Sequence, residues 1–186
     1  MIKIWTGACV ILLLSTVAVA QSPEEFAQAD ITIRRLAPSA MPGLSGPVRQ
    51  ALERRGCTIP QLSWNTNPHN AARGAFTAPN GVEWAVLCSR KRISSILVLA
   101  ESSGAVRASL ARRPDVMSLQ RSGQNGIVFS REISTAAPDI VRLLRRRESN
   151  QGAPVTHDGI RDAFVDKYST VWYRDGSVWR RIAGSD

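Results

Sequence analysis

The sequence predicts a mixed α+β domain, mostly antiparallel sheet with two or three packed helices and one disulfide. Three observations predict it. Hairpin signals, Asn80-Gly81 and Asp175-Gly176, each sit beside apolar runs of strand length. Two stretches, residues 46–55 and 137–148, space their apolar residues as a helix does and carry helix-terminal residues. Two cysteines, Cys57 and Cys88, remain once the leader is set aside. No internal repeat is long enough for a solenoid or propeller.

The leader comes first. Lys3 precedes an apolar run over residues 8–14, and small residues close it as "AVA". This is the pattern of a secretory signal peptide, cleaved after Ala20. The run is too short for a bilayer span, which takes about 20 residues. Cys9 lies inside the apolar core, and Thr6 stands where a lipoprotein signal wants a branched apolar residue, so Cys9 reads as signal filler. Residues 21–40 are polar with scattered alanines and read as a flexible leader, and 41–186 as a single domain. No later stretch is apolar enough for a membrane helix, so the mature chain is expected to lack a transmembrane segment and to be periplasmic or secreted.

The remaining elements follow in chain order. Ser45 caps a helix over 46–55 with Pro47 in its first turn. Val48, Ala51 and Leu52 make its apolar stripe, and Gly56 ends it. Residues 63–70, "SWNTNPHN", are loop by composition. Residues 74–77 and 82–88 read as strands joined by the "APNG" turn. "SRKR" is a polar turn before a strand over 94–100, whose continuous apolar run predicts cover on both faces. Residues 104–110 add an edge strand, 111–126 read as loop, and 126–133 as a further strand. Helix 137–148 is capped by Asp139 or the residue before it, with Ile140, Leu143 and Leu144 as its buried stripe. Its arginines sit at the C-terminal end, where the helix dipole favours them. "PVTHDGIRDAFVDKY" reads as a capping and docking helix. Thr156 or Asp158 starts it, and Ile160, Phe164 and Tyr168 form its buried side. The chain ends in a hairpin turning at Asp175-Gly176. That turn sets Arg174 opposite Ser177, Tyr173 opposite Val178 and Trp172 opposite Trp179.

Cys57 and Cys88 are expected to bond in an oxidising compartment. Closing a loop of about 30 residues, the bond contributes roughly 3–4 kcal/mol by constraining the unfolded chain. A pair of buried free thiols is the alternative. Two cysteines and two scattered histidines lack zinc-ligand spacing. The full chain holds 24 basic and 15 acidic side chains for a net charge of +9, and losing Lys3 with the leader leaves +8. Such charge suits an anionic envelope polymer. The arginines are spread along the chain, however, mostly in doublets and short runs, and a solvated basic face is the preferred reading of them. Nucleic acid is not favoured, because no binding motif accompanies the charge.

Two segments together, "GCTIPQ … GAFTAPNGVEWAVLCSRKRISSILVL" and "HDGIRDAFVDKYSTVWYRDGSVWRRIAGSD", resemble a group of small exported bacterial proteins of unassigned function. The resemblance rests on a glycine-cysteine after a helix, a "WAVLCS" strand and an "HDGI" segment before a terminal hairpin. It implies export and brings no catalytic residue. The first hairpin is also distantly similar to a fragment of integrin-type repeats. Their calcium loop is rich in aspartate, whereas "TAPNG" holds no carboxylate, so calcium does not carry over.

The chemistry reduces to one stretch. His157 with Asp158 or Asp162 is the candidate catalytic set of a secreted hydrolase. No nucleophile motif accompanies it. Asp158, Asp162 and Asp166 recur every four residues, but Arg161 stands among them and the ligand count is too low for calcium. Neither a cofactor nor a metal is expected. The preferred expectation is a non-enzymatic binding or structural domain of the cell envelope, partnered by an envelope polymer or a protein. Its candidate binding residues are Trp172, Tyr173, Trp179, Arg180 and Arg181.

Overall fold

The computed structural model describes residues 23–123, 126–148 and 154–184; the expected signal peptide, with Cys9 and the expected cleavage after Ala20, lies outside them. Three α-helices combine with antiparallel strands and one disulfide, a mixed α+β fold. The helices are α1 (Pro23–Thr32), α2 (Gly46–Arg54) and α3 (Pro138–Arg147). The strands are β1 (Arg35–Leu36), β2 (Ile59–Pro60), β3 (Ala71–Gly74), β4 (Glu83–Arg90), β5 (Ile93–Ala100) and β6 (Val106–Pro114). They continue with β7 (Leu119–Arg121), β8 (Ile127–Phe129), β9 (Arg131–Ala136), β10 (Gly159–Phe164), β11 (Tyr168–Asp175) and β12 (Val178–Ala183).

Two four-stranded sheets carry the architecture, β3-β4-β5-β6 and β12-β11-β10-β9. Alternation along each strand decides what each face buries. On β4 and β5, Trp84, Val86, Cys88, Leu97 and Leu99 face α2 and meet Val48, Ala51 and Leu52. The intervening residues Ala85, Leu87, Ile96 and Val98 face the second sheet and meet Phe129, Ile133 and Ile160. On β11, Val171 and Tyr173 face α3, where Val141 and Leu144 cover them. The result is four layers: α2, sheet, sheet, α3. Both faces of β4 and β5 are covered, which is why their sequence is a nearly continuous apolar run.

The disulfide joins Cys57 to Cys88 with Cα atoms 5.1 Å apart. It fastens the end of α2 to β4, beside a backbone bridge between Thr58 and Ser89. Gly104 makes the close approach at the other end of α2. Its φ is +67°, and a Cβ there would lie 2.3 Å from the Pro47 carbonyl oxygen.

Several expectations change. Residues 23–32 form α1 in place of a flexible leader. Phe26 and Ala29 pack on the inter-sheet core, and buried Asp30 pairs with Arg35 at 2.7 Å. The segment 111–126 is not all loop: β6 runs on to Pro114, and β7 follows. The strand expected over 126–133 is two strands that break at Ser130 and pass from one sheet to another. On α3 the buried residues are Val141, Leu144 and Arg145, while Ile140 and Leu143 stay exposed. The helix begins after Ala137, with no side-chain cap.

The largest correction concerns "PVTHDGIRDAFVDKY". Residues 159–164 are strand β10, paired with β9 and β11, not a helix. Four-residue spacing is close to one helical turn, but it is also two strand repeats. Ile160 and Phe164 therefore share a face either way, but only in a strand does Asp162 join them, and here Ile160 packs into the inter-sheet core. Asp162 is buried there. It accepts from Arg131 through Nε at 2.8 Å and Nη2 at 2.9 Å, and from Arg113 at 3.2 Å. Arg131 is fully buried, and its other donors reach the Ser94 hydroxyl and the Ala111 carbonyl. Ala111 stands at φ 52° within a β-bulge of β6, where Ala111 and Arg112 lie against the single residue Ser95 of β5.

The terminal hairpin forms two residues out of the expected register. Asp175 pairs with Val178 and Trp172 with Arg181, so the loop residues are Gly176 and Ser177. Gly176 has φ +60°, as the first central residue of a type II′ turn requires. A two-residue shift leaves every side chain on its expected face, so Trp172 and Trp179 become diagonal neighbours.

Removing one partner of the buried ion pair leaves an uncompensated charge. Asp162→Ala is expected to cost about 3–5 kcal/mol, read by urea denaturation. A cost below about 1 kcal/mol would show that the neutral partners of Arg131 suffice.

Candidate anion-binding groove

α2 is shorter than the sheet face it covers. Beyond its last turn the face continues uncovered, and a groove of about 420 Å³ opens there. Its floor is Cys88, Ile93 and Leu97, with Ser95 and Ser109 beside them. Its basic side chains are Arg55, Arg90, Lys91 and Arg112. Each comes from a different local cause. Arg55 follows the end of α2 and reaches back to the Ala51 carbonyl at 3.2 Å. Arg90 lies two residues after Cys88 and so on the same face of β4. Lys91 is in the β4–β5 turn, and Arg112 is exposed on the edge strand β6. Among the described residues none of the four has a carboxylate within ion-pair distance.

The turn itself is strained. Arg90 pairs with Ile93, leaving Lys91 and Arg92 as a two-residue loop with φ 50° and 59°. This is the left-handed pair of a type I′ turn, which glycine and asparagine normally occupy. Two long cationic residues hold it here because their surroundings anchor it. The Asp115 N–H donates to the Arg92 carbonyl at 2.8 Å. Asp115 is fully buried and accepts from Ser89 at 2.5 Å and Arg35 at 2.9 Å. Arg92 points toward Asp30 of α1, 3.9 Å away. The acidic cluster thus takes Arg92 aside and leaves Arg90 and Lys91 to the groove.

The residues expected to act sort differently. Tyr173 has no exposed surface. It packs under α3 with the Arg145 guanidinium 5.3 Å from its ring centre, and burial raises its phenol pKa. It is core and out of reach of a ligand. Trp172 and Trp179 are half-buried against the inter-sheet core. Arg180 is exposed and pairs with Asp175 at 2.9 Å; Arg181 is exposed on the same edge strand, β12.

The histidine set does not come together. His157 Nδ1 lies 3.1 Å from the Asp158 backbone carbonyl. The Asp158 carboxylate accepts from the Ala75 N–H at 2.8 Å, and Asp162 is committed to its arginines. Among the described residues no carboxylate lies within hydrogen-bond distance of the His157 ring to orient it as a base. Among the described residues no three His, Cys, Asp or Glu side chains are grouped to hold a metal, and no helix is long and apolar enough to cross a membrane.

Sequence reasoning missed the groove because it weighed the basic pairs as dispersed. Three of those basic runs, at 54–55, 90–92 and 112–113, each send a residue to this one groove. The available signal was position: each lies at or near the end of an element. Replacing Lys91-Arg92 by Asn-Gly is expected to raise stability by about 1–2 kcal/mol, read as a higher Tm, by relieving two left-handed side-chain residues. An unchanged or lower Tm would mean that the Arg92–Asp30 contact outweighs the strain.

The fold offers no borrowed function against which to check this site: no protein-family model matches the chain, and no curated protein or solved structure matches it.

Proposed function

We propose that this chain is an exported, non-enzymatic binding domain of the cell envelope, periplasmic or secreted, that holds an anionic envelope polymer in the basic groove. One observation carries the reading: Arg55, Arg90, Lys91 and Arg112 line one groove, and among the described residues no carboxylate neutralises them. Guanidinium groups fork onto phosphate or carboxylate oxygens in pairs, and the lysine adds a mobile point charge. The groove is open to solvent along the edge strand β6, so a polymer can lie across it without threading. A net charge of +8 after loss of the leader draws such a polymer in at long range. The signal-like leader and the disulfide support export, because disulfides persist in oxidising compartments.

The alternative, a secreted hydrolase using His157 with Asp158 or Asp162, gains no support. Among the described residues Asp158 bonds the Ala75 N–H and Asp162 bonds Arg131, and neither carboxylate orients the histidine.

Binding to purified lipopolysaccharide tests the reading, using the Arg90→Glu/Lys91→Glu protein as the control. The wild type is expected to bind at low ionic strength and to weaken steeply between about 0.05 and 0.2 M salt. The variant is expected to bind at least about tenfold more weakly while keeping the wild-type Tm within a few degrees. Equal affinity of the two proteins would remove the groove from the reading. Affinity that does not change with salt would remove the polyanion.

A further inference from the structure

The loop over residues 62–69, "LSWNTNPH", carries more internal bonding than a connection needs. Gln61, fully buried, donates through Nε2 to the carbonyls of Ile59, Pro60 and His69, and its Oε1 accepts from the His69 N–H at 2.9 Å. The His69 ring closes the loop from inside. Its Nε2 accepts from the Leu62 N–H at 2.6 Å, which leaves the proton on Nδ1 to donate to the Asn67 carbonyl at 2.9 Å. The Asn65 side-chain oxygen accepts from the Asn67 N–H at 3.0 Å. From outside the loop, Arg34 donates to the carbonyls of Asn65 and Thr66, and the Phe129 N–H donates to the Ser63 hydroxyl oxygen. Leu62 and Asn70 anchor the two ends in the interior.

This frame fixes the backbone on both sides of Trp64. Trp64 is 47 % exposed and is the only exposed tryptophan among the described residues. Trp84 is buried, and Trp172 and Trp179 are half-buried. Beside Trp64 stand Asn65, Thr66 and Asn67. Their Nδ2 amides and the Thr66 hydroxyl make no hydrogen bond among the described residues. From Pro60 to Asn70 the chain has no lysine, arginine, aspartate or glutamate, and both ring nitrogens of its one histidine are engaged.

We infer that Trp64, with Asn65, Thr66 and Asn67, forms a preorganised platform for an uncharged saccharide ring. A pyranose has an apolar face of C–H groups and a rim of hydroxyls. The indole face takes the first, and the amides and threonine hydroxyl take the second. A flat, rigid aromatic with a polar edge gives contact area at low entropic cost. The hydrogen-bonded frame removes the loop-ordering cost that a mobile loop would incur on binding. The segment from Pro60 to Asn70 carries no charge of its own and its neighbouring cation, Arg34, is turned onto the Asn65 and Thr66 carbonyls, whereas the groove is lined by four cations. The two share no residue, so the platform stands or falls independently of the polyanion reading.

The test follows the four tryptophan indole N–H signals of the chain without its leader by NMR, with the Trp64 signal assigned through Trp64→Phe. The probes are two neutral oligosaccharides, the N-acetylglucosamine tetramer and cellotetraose, each added to about 10 mM. The expected result is a saturating shift of the Trp64 signal with at least one of them, the other indoles staying in place. Trp64→Ala, at an exposed position, is expected to keep the wild-type Tm and lose the binding. Asn67→Ala is expected to weaken binding several-fold without moving Tm. No shift of Trp64 with either sugar overturns the inference. So does a shift of the other indoles alone, or undiminished binding by Trp64→Ala.

Discussion

A guanidinium with no exposed surface sits between two sheets and commits both of them. Arg131 starts β9, its carboxylate partner is on β10, and its remaining donors reach Ser94 on β5 and the Ala111 carbonyl on β6. A charge in that position is tolerable only when nearly every donor is satisfied, because desolvating it unpaired costs several kcal/mol. The bonding therefore specifies geometry more than it adds net stability. Ala111 is held in a left-handed conformation so that its carbonyl meets the guanidinium. Arg113, on the same strand, turns inward to share Asp162. Desolvation lowers the pKa of Arg113, with the nearby Arg131 adding to the effect, and Asp162 opposes both.

That bulge has a consequence at the surface. Arg113 goes to the core face of β6, and Arg112 remains on the exposed face, at the groove. A second polar cluster works at the neighbouring corner. Asp115 takes Ser89, Arg35 and the Arg92 backbone, and Asp30 of α1 takes Arg35 and faces Arg92. Between them the two clusters settle which arginines are neutralised inside and which are left facing solvent. The candidate groove is in this sense the remainder: the cations that the interior did not absorb, gathered where α2 stops short.

Local signals were readable where they are decided locally. The start of α2 at Gly46 and its end near Gly56 follow from Pro47 and the glycine itself and appear within a residue of expectation, although the Ser45 hydroxyl donates to the Glu101 carbonyl at 2.7 Å and makes no cap bond. β4 and β5 appear nearly as expected because a covered strand pair advertises itself by an unbroken apolar run. The cysteine pair was legible from the even count that remains once the expected leader is set aside. Other features were ambiguous in principle. Residues 158–168 repeat every four, a spacing compatible with either helix or strand, and only the pairing of β10 with β9 and β11 decides between them. Asp175-Gly176 announced the terminal hairpin, but Gly176-Ser177 is an equally good loop with the same face assignment, so the local sequence could not choose the register. The platform at Trp64 was read only as loop, because its order comes from Gln61 and His69 side chains that composition does not distinguish from filler.

Short stretches of sequence were enough for the mixed α+β class, the positions of α2, β4 and β5, the disulfide pair and the overall positive charge. Each follows from propensity, periodicity or counting within a short window of chain. Tertiary structure decided that "HDGIRDAF" is a strand, that Asp162 belongs to Arg131, and that Tyr173 is core. It also decided that basic residues scattered through the chain share one groove. These depend on which residues distant in sequence come to share a layer. An arginine is neutralised or left free by the carboxylate that folding places beside it, and no window of sequence contains both.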